Sequence, residues 1–419
     1  MRPTINSHRL QDSLEELGAI GAFDSEHEGI RGVCRLALSD QDATGRQLVM
    51  GWMKQAGLEI SVDQIGNVYA TRSGHDNTLA PVMTGSHVDS VPTGGRFDGT
   101  LGVLGALEVI RTLNDHNLTT HRPLTIAFFT DEEGCRFGTD MLGSAVATGR
   151  IPLEQAWGLK DADGLCVRSE LERIGFCGPE PVGSRKPHAF VECHVEQGPV
   201  LLHEGFDLGV VTGVQGISWQ RLTMTGAPAH AGTTPTSFRR DAGLVAAKIN
   251  VRMREMCLSG DYGPDMRATM GVIDPKPGSV NVIPGRVVAT VDLRNPDDHA
   301  MKRAKTDLAS YWRALAESDS VTIEAEQTAR TPAVAFDAHV QDTIAAAAES
   351  FGLRHRRILA GAGHDAQEWS RICPTAMVFV PGENDGISHN PLEFSTPQQC
   401  ERGVNVLLHT ILSLADEPA

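Results

Sequence analysis

Four short segments of this 419-residue chain gather histidine or carboxylate side chains, three of them beside glycine. The first, TGSHVDSVPTGGRFDGTLG (84–102), holds His87, Asp89 and Asp98. His87 ends an apolar run, which places it at the rim of a sheet rather than in a core. Asp89 is spaced to accept the other ring N–H, the support that metal-bound histidine usually has. Asp98 lies among glycines small enough for the backbone to fold over an ion. Taken alone, the stretch reads equally well as a glycine-rich turn. The second segment, TDEEG (130–134), ends an apolar run in three consecutive acids. These are either exposed turn acids or, packed together, a group that requires a cation. Adjacent carboxylates can divide the work, one binding a metal while its neighbour takes a proton from an activated water. That split suits Glu132 and Glu133. HVEQG (194–198) and SHNPLE (388–393) add His194 and His389, each of which alone reads as an ordinary loop histidine.

The set says more than its members. Ligands from four strand-end loops match a two-metal site, where the ions stand about 3.5–4 Å apart. No cysteine belongs to the set, so zinc, manganese, cobalt or nickel suits it better than a thiolate-bound metal. Signatures of other chemistries are missing: the sequence has no G-K-[ST] phosphate loop, no G-x-S-x-G elbow and no H-E-x-x-H. The glycines of GTLGVLG do not have the dinucleotide-binding spacing.

Elements that would position these residues follow from periodicity. Helices are expected over 6–20, 43–57, 101–117 and 340–352, and two short strands over 58–74. Apolar strands are expected at 81–87, 124–134 and 374–382, each running into one of the segments above. This alternation predicts an α/β domain with a mostly parallel central sheet, whose ligands gather beyond the carboxyl ends of the strands. Between about 213 and 330 the pattern changes to βαββαβ, a ferredoxin-like order flanked by Gly- and Pro-containing hinges. The expected organisation is therefore one catalytic domain, 1–212 and 331–419, interrupted by a smaller inserted domain, 213–330.

Composition narrows the partners. A net charge of −16 without a basic run argues against nucleic acid. The eight cysteines form no C-x-x-C pair and are too sparse for a disulfide framework. The amino-terminal residues lack the apolar stretch of a signal peptide, and no run reaches the roughly 20 apolar residues of a membrane span. A cytoplasmic protein without a membrane partner is expected.

Read in order, GSHVDSVPTGGRFDGTLGV, FTDEEGCRFG, HVEQGPVL, GVQGISW, GAPAHAGTTP, SVNVIPG, VDLRN, GAGHDA and ISHNPLE carry a specific likeness over nearly the whole chain. The sequence resembles the amidase/hydantoinase-carbamoylase branch of the zinc aminoacylase–carboxypeptidase superfamily. That branch includes N-carbamoyl-L-amino acid hydrolases, bacterial β-ureidopropionases and allantoate amidohydrolases. The resemblance implies a zinc-peptidase-like catalytic domain and two divalent ions per subunit. His87 and His194 would bind one ion, Glu133 and His389 the other, with Asp98 bridging and Glu132 as general base. A histidine at 194 resembles the carbamoylase branch, since peptide-cleaving relatives tend to place a carboxylate there. The inserted domain would be a lid and the surface of a homodimer, with lid residues reaching the partner subunit's active site. Within it, His230 resembles the residue that stabilises the oxyanion. Asn281 and Arg294 resemble the pair that receives the substrate's carboxylate, a role suited to the guanidinium fork. Gln215 and Gln197 resemble further substrate contacts. The activity implied is hydrolysis of the ureido C–N bond of N-carbamoyl-L-amino acids, with allantoate or β-ureidopropionate as the alternative substrate. A non-catalytic metal-binding protein on the same fold is the alternative from another class, but all six metal and base positions are filled.

Overall fold

The runs 124–129 (LTIAFF) and 375–380 (TAMVFV) are almost wholly apolar, the pattern of strands covered on both faces, while 82–87 (VMTGSH) and 189–195 (AFVECHV) gain polar residues towards their ends. All four are strands buried along their whole length in the computed structural model, which describes residues 2–418. The chain divides into two compact units, one formed by residues up to 212 with those from 336 onward, the other by Gly213–Ala335.

A mixed sheet runs through the first unit. Its four central strands are parallel, in the order Thr375–Val380, Ala189–Val195, Val82–His87 and Leu124–Phe129. Flanking them, Val68–Arg72 pairs antiparallel with Leu124–Phe129, and Leu208–Val214 pairs antiparallel with Thr375–Val380. His87 lies opposite Phe129 and His194 opposite Phe379, so the carboxyl ends of all four parallel strands fall at one edge. Gly85 permits the close pairing there: a Cβ at that residue would stand 1.8 Å from the Ala127 carbonyl oxygen.

Helices Thr100–Asp115 and Pro397–Ala415 pack against this sheet and each other. Nearly all of Thr100–Asp115 is buried, as its sequence TLGVLGALEVIRTLND requires. Pro397 fits at the first turn of its helix, where a missing N–H costs nothing, behind a capping box of Thr396 and Gln399. Helix Asp40–Gln55 starts three residues before its expected position because Ser39 caps it, accepting the Asp42 N–H at 3.2 Å. From this helix the fully buried Arg46 pairs with Asp42 at 2.8 Å and donates to Gly66 O (2.8 Å) and Thr130 Oγ1 (3.2 Å). The guanidinium thereby anchors the end of strand Leu124–Phe129, where the acidic segment begins.

The second unit carries an antiparallel sheet in the order Arg267–Thr269, Arg286–Asn295, Gly216–Thr225, Thr322–Thr331. Side chains of Arg286–Asn295 alternate between buried and half-buried from Val287 onward. Val287, Ala289, Val291 and Leu293 point into a core shared with Val245, Ile249, Met253 and Leu308 from helices Ala242–Ser259 and Asp298–Ser318. Each buried Val or Leu there contributes about 1.5–3 kcal/mol. The run RATMGVIDP (267–275), which reads by pattern as one strand of the βαββαβ order, is split into Arg267–Thr269 and Ile273–Lys276, which both pair with Arg286–Asn295. Gly271 lies in the break, where Thr290 Oγ1 accepts the Val272 N–H at 3.1 Å. Among the described residues no helix is long and apolar enough to cross a membrane, and all eight cysteines are free.

Candidate metal centre

Each of the four parallel strands delivers a polar group at its carboxyl end. His87 is the last residue of its strand and His194 the next to last of its own; Glu132 and Glu133 follow Leu124–Phe129, and His389 follows Thr375–Val380. Asp98 stands between them. Its Oδ1 lies 3.4 Å from His87 Nε2 and 3.1 Å from His194 Nε2. Its Oδ2 lies 3.5 Å from His389 Nε2, which is 3.3 Å from Glu133 Oε2. Two three-residue groups thus share one carboxylate: His87, Asp98 and His194, and Asp98, Glu133 and His389. Glu132 Oε2 approaches His87 Nε2 at 3.5 Å.

Local backbone aims these groups. Asp131, Gln197 and His389 all have positive φ (55°, 56° and 55°), a conformation that costs a non-glycine residue about 1–3 kcal/mol and clusters at functional sites. Gly99 has φ 66°, and a Cβ there would lie 2.4 Å from His87 Cε1 and Nε2. Only glycine lets the loop pass so close to the ring. The Asp89 contact differs from expectation. His87 Nδ1 is 3.0 Å from the Asp89 main-chain oxygen and 3.7 Å from its carboxylate. The carboxylate instead accepts the main-chain N–H groups of Glu132 (3.4 Å) and Glu133 (3.3 Å). His194 Nδ1 is held in the same way as His87, by the Val195 carbonyl at 2.9 Å.

The donor set fits divalent metal. Two ligand atoms about 2.1 Å from one tetrahedral ion stand about 3.4 Å apart, and the N···O separations around Asp98 run from 3.1 to 3.5 Å. His87 Nε2 is buried and makes no hydrogen bond. Burial, with neighbouring carboxylates adding to it, pushes the Glu132 and Glu133 carboxyls well above their usual range. Burial acts against His87 and His194, yet Glu132 and Asp98 hold the former well up and Asp98 raises the latter. A cluster so short of positive charge, buried but for the half-exposed His389, is what a cation would complete.

The residues expected in the inserted domain lie in the second unit. His230 and Asn281 are brought together by a two-stranded ribbon, Ala229–His230 against Val282–Ile283, in which Ala231 N donates to Asn281 O at 2.9 Å. His230 Nδ1 accepts the N–H groups of Gly232 (3.0 Å) and Thr233 (3.2 Å), so its ring proton sits on Nε2. Arg294 lies at the other end of the sheet, opposite Ile217, and its guanidinium contacts Asp292 at 3.0 Å. Gln215 directly precedes Gly216, which pairs with Asn295, and so shares that end. Asn281 lies beyond the Arg286 end, and the ladder from Arg286 to Arg294 is about 26 Å long at about 3.3 Å per residue. One chain therefore does not bring Asn281 and Arg294 to a single carboxylate.

Comparison with known proteins agrees with this geometry. The description of peptidase family M20/M25/M40 matches residues 83–413. The chain belongs to this family. N-carbamoyl-L-amino-acid amidohydrolase of Rhizobium meliloti is 39% identical over 413 residues, 98% of this chain and 97% of that one. Allantoate amidohydrolase of Bacillus subtilis is 32% identical over 409 residues, 97% of each chain. The crystal structure of an amidase of the hydantoinase/carbamoylase family from Burkholderia multivorans superposes with a TM-score of 0.95 at 46% identity, covering 99% of both chains. Within M20/M25/M40, a metal-dependent family, this chain groups with the hydantoinase/carbamoylase amidases.

This family member also brings to the centre His364, Glu192 and Ser388, to which sequence reasoning assigns no role, and sets Gln197, expected as a substrate contact, against Asp98. His364, from GAGHDA, sits with its ring 4.5 Å from that of His194, and its buried Nε2 makes no hydrogen bond. Glu192, on the strand of His194, accepts from Ser86 Oγ (2.6 Å) and Ala366 N (2.8 Å). Gln197 donates to Asp98 Oδ2 at 2.8 Å, and Ser388 does so at 2.7 Å. The advance signals were adjacency, since Ser388 precedes His389 and Glu192 lies two residues before His194, and, for His364, the motif GAGHDA.

Proposed function

We propose that this protein hydrolyses the ureido C–N bond of N-carbamoyl-L-amino acids, releasing the amino acid, carbon dioxide and ammonia. The observation that carries the reading is Asp98, whose two oxygens face two separate ligand groups. His87, His194 and Asp98 would hold one divalent ion, and Asp98, Glu133 and His389 the other; zinc, manganese, cobalt and nickel all suit these donors. Ions bound there would supply the positive charge that eases ionisation of water and polarises a carbonyl.

The chain's own groups supply the rest. Glu132 takes the proton of the attacking water and returns it to the leaving nitrogen, a step favoured by burial that raises its basicity. His230 donates its Nε2–H to the oxyanion; the support is the tautomer that Gly232 and Thr233 impose. Arg294 binds the substrate carboxylate, with Gln215 beside it, while Asn281 acts with His230. Because Asn281 and Arg294 lie at opposite ends of the second unit's sheet, a homodimer in which each subunit contributes one of them accounts for both roles. Gln197 supports Asp98 through its 2.8 Å hydrogen bond rather than contacting the substrate.

An ammonia-release panel after manganese or zinc reconstitution tests the reading. N-carbamoyl-L-amino acids should be turned over and their D forms should not. Preference for allantoate, on which the Bacillus subtilis relative acts, would move the protein to that activity. No ammonia from any ureido substrate would refute the reaction class.

A further inference from the structure

We propose that Glu393 is a positioning residue that holds the Asp98 carboxylate in register with His389. The proposal rests on the reading of Asp98 and His389 as metal ligands. Glu393 lies in the loop of His389 and is 6% exposed. Its Oε1 accepts two consecutive main-chain N–H groups, those of Phe97 (2.9 Å) and Asp98 (3.0 Å). Its Oε2 lies 2.6 Å from Ser388 Oγ, and the same hydroxyl lies 2.7 Å from Asp98 Oδ2. One side chain thus grips the main chain that carries Asp98 and, through Ser388, the carboxylate itself. Gly95 makes the approach possible, since a Cβ there would stand 2.5 Å from Glu393 Oε1.

The arrangement serves the ion more than the fold. Two buried carboxylates on either side of one hydroxyl repel each other, and an apolar side chain would fill the same volume without that cost. What only a hydrogen-bonding side chain does is set the rotation of Asp98. Ser388 and Gln197 both reach Oδ2, leaving Oδ1 to His87 and His194. Glu393 fixes Ser388 and the Asp98 main chain together, and so sets the distance between Asp98 and His389.

The test is cobalt titration of the metal-free protein, read by visible absorption and calorimetry, with the melting temperature of each metal-free variant as a control. Glu393→Ala should weaken the second cobalt equivalent by about 10–100-fold, the usual effect of losing a ligand's supporting contact. Ser388→Ala should act in the same direction with a smaller loss. Glu393→Gln should bind within about threefold of wild type. Its amide oxygen can take both N–H groups, while its NH2 donates to Ser388 and leaves the hydroxyl hydrogen for Asp98. His389→Ala separates the two ideas: cobalt binding unchanged in this variant would refute the ligand reading itself. If His389→Ala loses the ion while Glu393→Ala and Ser388→Ala bind as wild type, the positioning role is overturned. Should Glu393→Ala fail to fold, wild-type affinity in Ser388→Ala overturns it equally.

Discussion

His87 and Asp89 meet through the main chain: the ring's Nδ1 lies 3.0 Å from the Asp89 carbonyl oxygen, while the Asp89 carboxylate turns away to the amides of Glu132 and Glu133. The imidazole is therefore oriented by backbone, and the carboxylate two residues beyond it steadies a different ligand loop.

Asp89→Ala follows from that division. The carbonyl survives the substitution, so His87 keeps its orientation and the first equivalent of cobalt should bind as in wild type. The second, which depends on Glu133, should bind about 10–100-fold more weakly. Equal loss of both equivalents in the titration would instead place the carboxylate in support of the ring.

Glu132→Gln should leave metal content unchanged while kcat falls by about 10²–10⁴-fold, the usual contribution of a general base. Elemental analysis beside steady-state kinetics checks both halves. Loss of an ion would make Glu132 a ligand and leave the base unassigned.

Gly99→Ala should be among the most damaging single-atom changes in the chain. Its φ of 66° strains any L side chain, and the new Cβ would collide with the His87 ring at 2.4 Å. The left-handed conformation alone costs about 1–2 kcal/mol. Denaturant unfolding of the metal-free protein should show at least that loss, and cobalt titration should show impaired binding at His87.

Arg46→Met should destabilise by about 3–5 kcal/mol, because it leaves the buried Asp42 without its cation. It also frees Thr130 and Gly66 from the guanidinium. Urea unfolding measures the first effect. Reduced turnover of the folded fraction at low temperature would report the loosened acidic turn.

Much of the centre was legible because chemistry sat where apolar runs ended. His87, Glu133 and His389 each follow or close an apolar run that reads as a strand, so periodicity placed them at one edge of a sheet, whereas His194 joined them through the likeness of HVEQG to the family and only the structure shows its strand, Ala189–Val195. The remainder depends on backbone geometry that spacing does not encode. Asp89 turns to the acidic segment rather than to the ring because Asp131, at φ 55°, folds the amides of Glu132 and Glu133 toward it. The break around Gly271 splits one expected strand into two. Asn281 and Arg294 come close in motif order yet lie at opposite ends of a ladder, since order along the chain does not fix register. Glu393 is the extreme case: its partners are main-chain amides 296 and 295 positions away, and amides carry no sequence signal.

The central claim, that Asp98 is shared by two ion sites, is tested most directly by counting ions. Wild type and Asp98→Asn would be stripped with chelator, reconstituted with manganese, gel-filtered and measured by elemental analysis, with circular dichroism confirming that both are folded. The account predicts two ions per chain in the wild type and fewer than one in Asp98→Asn. A single ion in the wild type, or two retained by Asp98→Asn, would contradict it.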